Sequence, residues 1–246
     1  MSQPLVLIQA RSGGTRLPGK IYAFLGHQTM LKHVMDRVDA TGMVWDVCRP
    51  EDCPGVAEDD VLGRFHARLT MLDPTGEVYD PILRVTADCP MLDHGLVRRA
   101  LAIFQDGEYD LVGTDPAWDG LDIEVMARAS LDYAARTARD PREREHVTLF
   151  TRRFGRCRPI VLDGPPLRWS VDDQAGLDFV RAVFERCEHC LAGQPHRMRE
   201  SKAGVRPIWD THDVYGLHPN GAPEPMACEA FDLLEERTGG PIYVSR

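Results

Sequence analysis

The sequence predicts an α/β fold in which a mainly parallel mixed sheet is flanked by helices. Two observations predict it. Short apolar runs of strand length alternate along the chain with stretches whose apolar residues recur at helical spacing. The first apolar run, Leu5-Val6-Leu7-Ile8, leads through a glycine-containing loop directly into a helical stretch. Strands that alternate with helices in this manner build parallel sheets covered on their faces.

The elements follow in order. Leu5 to Ile8 reads as a short buried strand, because it is apolar at every position. Residues 29–40 read as a helix, with Leu31, Val34, Met35 and Val38 on one face. Residues 43–48 form a second strand, and residues 49–59, rich in Pro, Glu and Asp, a loop. Residues 60–72 read as a helix capped by Asp59 or Asp60. Residues 81–87 are a largely apolar strand. Residues 93–104 are a helix whose Leu96, Val97, Ala100, Leu101 and Phe104 share a face and whose cap is Asp93. Strands are expected over 109–113 and 122–126, the second after a turn at Trp118-Asp119-Gly120. Helices follow over 130–139 and 144–154, then strands over 158–162 and 167–171. A long helix over 174–191 turns Phe179, Val180, Val183, Phe184 and Cys187 inward.

A division into two parts is expected: a domain over residues 1–192, and an extension over 193–246. The extension is rich in Pro, Gly and His, with one helical stretch at 228–237, and packs on the same domain or at an oligomer interface. The 246 residues suffice for a full core, and 43% hydrophobic with 27% charged residues are those of a globular protein. The net charge of −9 argues against broad binding to a nucleic-acid backbone, which needs a basic face. No stretch is long and apolar enough to span a membrane, and no signal peptide precedes the first strand, so a cytoplasmic protein is expected. Seven cysteines, an odd number, favour reduced thiols over a disulfide framework. Cys187, His189 and Cys190 with His196 resemble half a zinc site, but a second cysteine pair at suitable spacing is missing, and Cys187 continues an apolar helix face.

The chemistry concentrates in the loop after the first strand. Gly13, Gly14 and Gly19 let a ligand approach the backbone, and Arg11, Arg16 and Lys20 bring positive charge to the same place. Exposed amides combined with guanidinium and ammonium groups suit a polyphosphate. The stretch Gly14 to Lys20 fits the first seven positions of a P-loop, but Ile21 stands where a magnesium-binding hydroxyl belongs, and Pro18 removes an amide.

The same loop resembles the N-terminal signature of the sugar cytidylyltransferases: an Ala-Arg pair, a turn of small residues, then Thr-Arg-Leu-Pro-Gly-Lys. The spore-coat polysaccharide type, related to the enzymes that activate Kdo and the acylneuraminates, is the most similar branch. Further matches occur in family order over roughly residues 4–185. They are Asp60-Val61-Leu62-Gly63-Arg64-Phe65, Arg84-Val85-Thr86-Ala87-Asp88-Cys89-Pro90, Gly120-Leu121-Asp122-Ile123-Glu124-Val125, Glu143-Arg144-Glu145-His146-Val147-Thr148 and Ser170-Val171-Asp172. Residues 43–59 are short by comparison, which bears on the second strand–helix unit and its part of the base pocket.

The resemblance implies the nucleotide-diphospho-sugar transferase architecture, which is Rossmann-like. It also implies a cytoplasmic, magnesium-dependent transfer of CMP from CTP to a sugar, acidic or deoxy, for polysaccharide synthesis, with release of pyrophosphate. Nucleotide binding falls to Ala10, Arg11, Ser12, Gly13, Gly14, Thr15, Arg16, Lys20, Thr86 and Ala87, with Arg11, Lys20 and Asp88 catalytic. Asp88 and Asp172, each directly after an expected strand, hold Mg2+. Asp122, Glu124, Glu145 and His146 face the sugar. A second acid usual in the last motif is replaced by Gly176, for which Asp173 or Asp178 can compensate. Asp173 also reads as the cap of the following helix, since side chains alternate along an extended segment and only one of two adjacent acids can face the metal. The partners implied are CTP and a sugar, with neither nucleic acid nor membrane, and a homodimer is compatible with the resemblance. Two other readings fit the residues: a different sugar-nucleotide enzyme on the same fold, and a nucleotide-binding subunit without catalysis.

Overall fold

The computed structural model describes residues 2–11, 13, 16–116, 119–162 and 168–186. Several readings fall outside these residues: Ser12, Gly14 and Thr15 of the loop, Trp118, Leu167, the Cys187-to-Cys190 group with His196, and the extension 193–246.

The chain begins with β1 (Gln3–Gln9), followed by the small hairpin of β2 (Phe24–Leu25) and β3 (Gln28–Thr29). Next come α1 (Met30–Asp39), β4 (Val44–Cys48), α2 (Val61–Leu72), β5 (Tyr79–Thr86) and α3 (His94–Gln105). Then follow β6 (Leu111–Thr114), β7 (Glu124–Met126), α4 (Arg128–Thr137), α5 (Pro141–Glu145) and α6 (Leu149–Phe154). Last are β8 (Cys157–Ile160) and α7 (Gln174–Arg186).

The six-stranded sheet has the order β4-β1-β5-β7-β6-β8. β1 pairs in parallel with β4 and β5, β6 pairs in parallel with β8, and β7 runs antiparallel to both neighbours. The expected mainly parallel mixed sheet is therefore present, with β7 as its reversed member. The uninterrupted apolar run of β1 reflects burial on both faces. Val6 and Ile8 enter one core cluster with α1, α3 and α7; Leu5 and Leu7 enter the other with α2 and α4. Fully burying such a side chain contributes about 1.5–3 kcal/mol. The helix starts are fixed by side chains: Thr29 accepts from Lys32 N–H, Asp60 from Gly63 N–H, and Asp93 from Gly95 and Leu96 N–H.

Two expectations are corrected. Residues 168–171 do not join the sheet. Their amides bond loop carbonyls instead, Trp169 N–H to Asp119 and Val171 N–H to Asp88, while Trp169 and Val171 are buried. The helix expected over 144–154 is broken at Val147, whose φ of 28° no helix tolerates. The break lets the buried Thr148 hydroxyl donate to the Glu124 carboxylate. The region 43–59 retains a strand–helix unit: β4 pairs with β1, a 3₁₀ turn spans Pro50–Asp52, and α2 follows.

Asp73 fastens the connection from α2 to β5. Its Oδ1 accepts from Gly76 N–H at 2.9 Å, and its Oδ2 accepts from Val78 N–H at 2.9 Å and from Arg128 at 3.2 Å. Burial alone raises its pKa, but the amides of Tyr79, Val78 and Gly76 and the Thr75 hydroxyl outweigh it and lower it to about 2. A carboxyl depressed in the folded state stabilises above its unfolded value of 3.8 and loses that contribution as pH falls through about 2. Asp73→Asn should therefore be less stable than the parent at neutral pH and lose less on acidification. Urea midpoints measured between neutrality and pH 2 check this. Parallel acid curves for the two proteins would refute it.

Candidate functional site

The site forms where the parallel strands end. β1 delivers Gln9, Ala10 and Arg11; β5 delivers Arg84, Thr86 and then Asp88. The reversed β7 begins at this same edge, so Asp122 and Glu124 arrive there from the opposite chain direction. Ligands of open α/β sheets bind at this edge. A cavity of about 400 Å³ opens here, walled by the cations Arg11, Arg16, Lys20 and Arg84 and by the acids Asp88, Asp119, Asp122 and Asp172. Gln9, Thr86, Cys89 and Ser170 complete the polar part of its lining, and Ala87 lines it with them.

Lys20 stands at the centre. Gly19, at φ 70°, takes a left-handed conformation, and the chain turns from it into a short 3₁₀ turn at Lys20–Tyr22. Ile21 is buried beneath, and Lys20 Nζ reaches Asp88 Oδ2 at 2.6 Å and Asp172 Oδ1 at 3.0 Å. Its side chain is only 12% exposed. Burial lowers the Lys20 pKa, but Asp88 and Asp172 outweigh it and the net shift is upward. Asp172 is also held by Arg16 at 3.2 Å and by Arg168. Burial raises the Asp172 pKa, but Lys20, Arg168 and Arg16 overcome that and lower it. The hydrogen bond from Val171 N–H to the Asp88 carbonyl brings the two acids together.

Among the described residues, no group of three or more His, Cys, Asp or Glu side chains is poised to hold a metal ion. Two carboxylates do converge on one cation. Magnesium needs only one or two carboxylates when phosphate oxygens complete its shell. Asp88 and Asp172 therefore fit such an ion together with a phosphate-bearing ligand. Asp173 and Asp178 do not extend the set. Asp173 Oδ1 accepts from Gly176 N–H at 2.8 Å, as the expected helix cap, and Asp178 bonds Gln174 on an exposed face.

The residues expected to face a sugar are divided. Asp122 lines the cavity. Glu124 is buried behind it, holding Arg84, Arg152 at 2.8 Å and the Thr148 hydroxyl. Burial raises the Glu124 pKa, but Arg84, Arg152 and Thr148 more than offset this and lower it. Glu145 lies 4.0 Å from Arg11, and His146 is exposed at the end of α5. Neither lines the cavity.

Arg84, Gln9 and Asp119 were not expected as site residues. Arg84 Nε donates to Gln9 Oε1 at 2.8 Å. Its signal was visible: a single charge inside the apolar run Ile82-Leu83-Arg84-Val85. Asp119 pairs with Arg168 at 3.1 Å across the loop that Gly120 turns. That glycine has φ 98°, and a Cβ on it would lie 2.3 Å from Ser170 N, so no other residue fits.

A family model described as a cytidylyltransferase matches residues 5–49. A 3-deoxy-manno-octulosonate cytidylyltransferase from Brucella ovis is 32% identical over 122 residues, 44% of this chain and 48% of that protein. The chain spans about half to somewhat under two thirds of the length of the curated relatives it matches. A cytidylyltransferase structure from Leptospira borgpetersenii superposes with a TM-score of 0.65 at 21% identity, covering 75% of this chain and 87% of that one. A structure of CMP:2-keto-3-deoxy-manno-octonic acid synthetase complexed with CTP gives a TM-score of 0.52 at 17% identity, covering 75% and 99%. At these identities the structures establish the fold.

The geometry separates two adjacent acids. Asp173→Ala should lower stability by about 0.5–2 kcal/mol through loss of the cap. Asp172→Asn should weaken magnesium binding while changing stability less. Thermal melts and magnesium titrations of both variants decide it, and the opposite pattern would refute the assignment.

Proposed function

We propose, from the sugar cytidylyltransferase family that these matches support, that this chain transfers CMP from CTP to a hydroxyl of an acidic or deoxy sugar. Pyrophosphate leaves, and the CMP-sugar serves surface polysaccharide or glycan synthesis. The observation that carries the reading is Lys20 bridging Asp88 and Asp172 beside the basic glycine loop at the carboxyl edge of the sheet.

On this reading the triphosphate enters against the loop of Ala10, Arg11, Ser12, Gly13, Gly14, Thr15 and Arg16, with Thr86 and Ala87 as the floor. Arg11, Arg16 and Lys20 balance the charge of the phosphates, including charge that grows on the departing pyrophosphate. Asp88 and Asp172 would hold Mg2+, which supplies Lewis-acid polarisation of phosphate oxygens. The acceptor enters from the side of Asp122. Arg84 presents a guanidinium there, fixed by Glu124 and Gln9. Glu124 thus positions the acceptor wall from behind it. Glu145 and His146 stand at the end of α5 on the Arg11 side, where they can meet a ligand that extends beyond the cavity. Because positioning and electrostatics dominate such transfers, the fixed ion pairs matter more than any strong nucleophile of the protein.

Pyrophosphate release with each of the four nucleoside triphosphates, against a panel of acidic, deoxy and neutral sugars, tests this. CTP with an acidic or deoxy sugar should give turnover that a chelator removes and magnesium restores. Release that is independent of any sugar, or a preference for another nucleotide, would overturn the reading.

A further inference from the structure

Of the acids that line the cavity, three are neutralised. Asp88 and Asp172 face Lys20, and Asp119 faces Arg168 at 3.1 Å. Asp122 makes no ion pair among the described residues. Its Oδ2 accepts from Gly120 N–H at 2.9 Å, which orients the carboxyl, and Oδ1 has no protein donor among them. Gly120 itself is packed against the Trp169–Ser170 backbone. Asp122 is therefore an oriented carboxylate with one oxygen available, on the acceptor side of the cavity.

We propose that Asp122 is the general base of the transfer and takes the proton of the acceptor hydroxyl. The inference rests on the nucleotidyl-transfer reading above. The acceptor oxygen forms a bond to the α-phosphorus of CTP. The bond from that phosphorus to the oxygen bridging the β-phosphate breaks, and pyrophosphate leaves with the electron pair. The hydroxyl proton passes to Asp122 Oδ1 and from there to solvent.

The remaining candidates are engaged or misplaced. Asp88 and Asp172 are tied to cations. Glu124 is enclosed by Arg84, Arg152 and Thr148, and His146 lies outside the cavity lining. The surroundings also suit Asp122 to the task. Burial raises its pKa to about 6, opposed by the Gly120 amide and by Arg84 on β5, and assisted by Asp119 from its own turn and Glu124 on β7. Cys89, after β5, shares this field as a buried thiol whose own pKa is raised, first by burial and then by Asp88 and Asp122. A base that titrates near the working pH combines availability with driving force. It is ionised above pH 6, so the rate should rise as pH increases through that value.

The test compares the unaltered protein with Asp122→Asn and Asp122→Ala, measuring kcat, acceptor KM, CTP affinity and melting temperature across pH. Asp122→Asn should bind CTP normally and lose kcat on the order of 10²–10⁴-fold, without the acid limb of the parent. Formate should restore part of the turnover of Asp122→Ala, because it can enter the space and accept the proton. A loss confined to acceptor KM, or an acid limb kept in Asp122→Asn, would overturn the proposal. So would an Asp122→Ala protein that melts normally and binds CTP but is not rescued. If the unaltered protein shows no turnover with any acceptor, the transfer reading itself fails and the base assignment falls with it. Turnover retained by Asp122→Asn sinks the base assignment alone.

Discussion

The architecture of the site depends on one ammonium group between two carboxylates. Asp88 lies 68 residues from Lys20 in sequence, and Asp172 lies 152 residues away. Three separate connections, after β1, after β5 and before α7, are thus tied at one point. Two carboxylates brought this close without a cation would repel each other and hold a partly buried charge unpaired, which is costly. Arg16 and Arg168 balance the charge that Lys20 leaves over. The cluster explains why residues 168–171 lie across the strand ends instead of extending the sheet. Their amides bond the Asp88 and Asp119 carbonyls, and the chain is then in position to present Asp172 to Lys20.

The reversed strand β7 is the second constraint. A parallel strand would start at the far edge of the sheet and carry Glu124 away from the cavity. Running antiparallel between β5 and β6, β7 starts opposite Arg84 and Gly113. Glu124 then fixes Arg84 and Arg152 at once, with Thr148 as a third donor. Reaching Thr148 requires the break at Val147, a β-branched residue at positive φ. Such a conformation costs of order 1–3 kcal/mol and persists when its surroundings over-determine it. Here Val147 is fully buried and Thr148 is bonded on its far side, so packing and the Glu124 network hold the strain in place.

Much of this was legible in the sequence where the signal is local. Glycines and cations within one short loop mark a place for an anionic ligand without knowledge of any partner. The alternation of an extended segment separated Asp172 from Asp173, and the cap on Gly176 N–H agrees with it. Signals that depend on distant residues were read less well. An extended segment with alternate side chains buried has the same pattern whether its amides bond a strand or two loop carbonyls, so 168–171 read as a strand. Glu145 to Thr148 carry nothing that announces a positive φ, so α5 and α6 read as one helix. Glu124 resembles a ligand-facing acid, because the sequence does not reveal the two arginines that enclose it. Arg84 carried a signal that only the fold interprets: a lone charge in a buried strand needs both a partner and an opening.

The cavity also shows how surroundings give identical side chains different chemistry. Asp172 and Asp122 line the same space. Asp172 is surrounded by cations that overcome its burial, so it stays ionised and serves as a fixed negative charge. Among the described residues Asp122 accepts from a single amide and lies in the field of one guanidinium and two like charges, so burial prevails and raises its pKa to about 6. Environments that push equivalent groups apart in this way are the usual means by which one site carries both electrostatic and proton-transfer roles. In this chain the separation follows from topology. The strand ends after β1 and β5 gather cations around Asp88 and Asp172, whereas the turn into the reversed strand leaves Asp122 beside Gly120, whose amide is its one hydrogen-bond donor among the described residues.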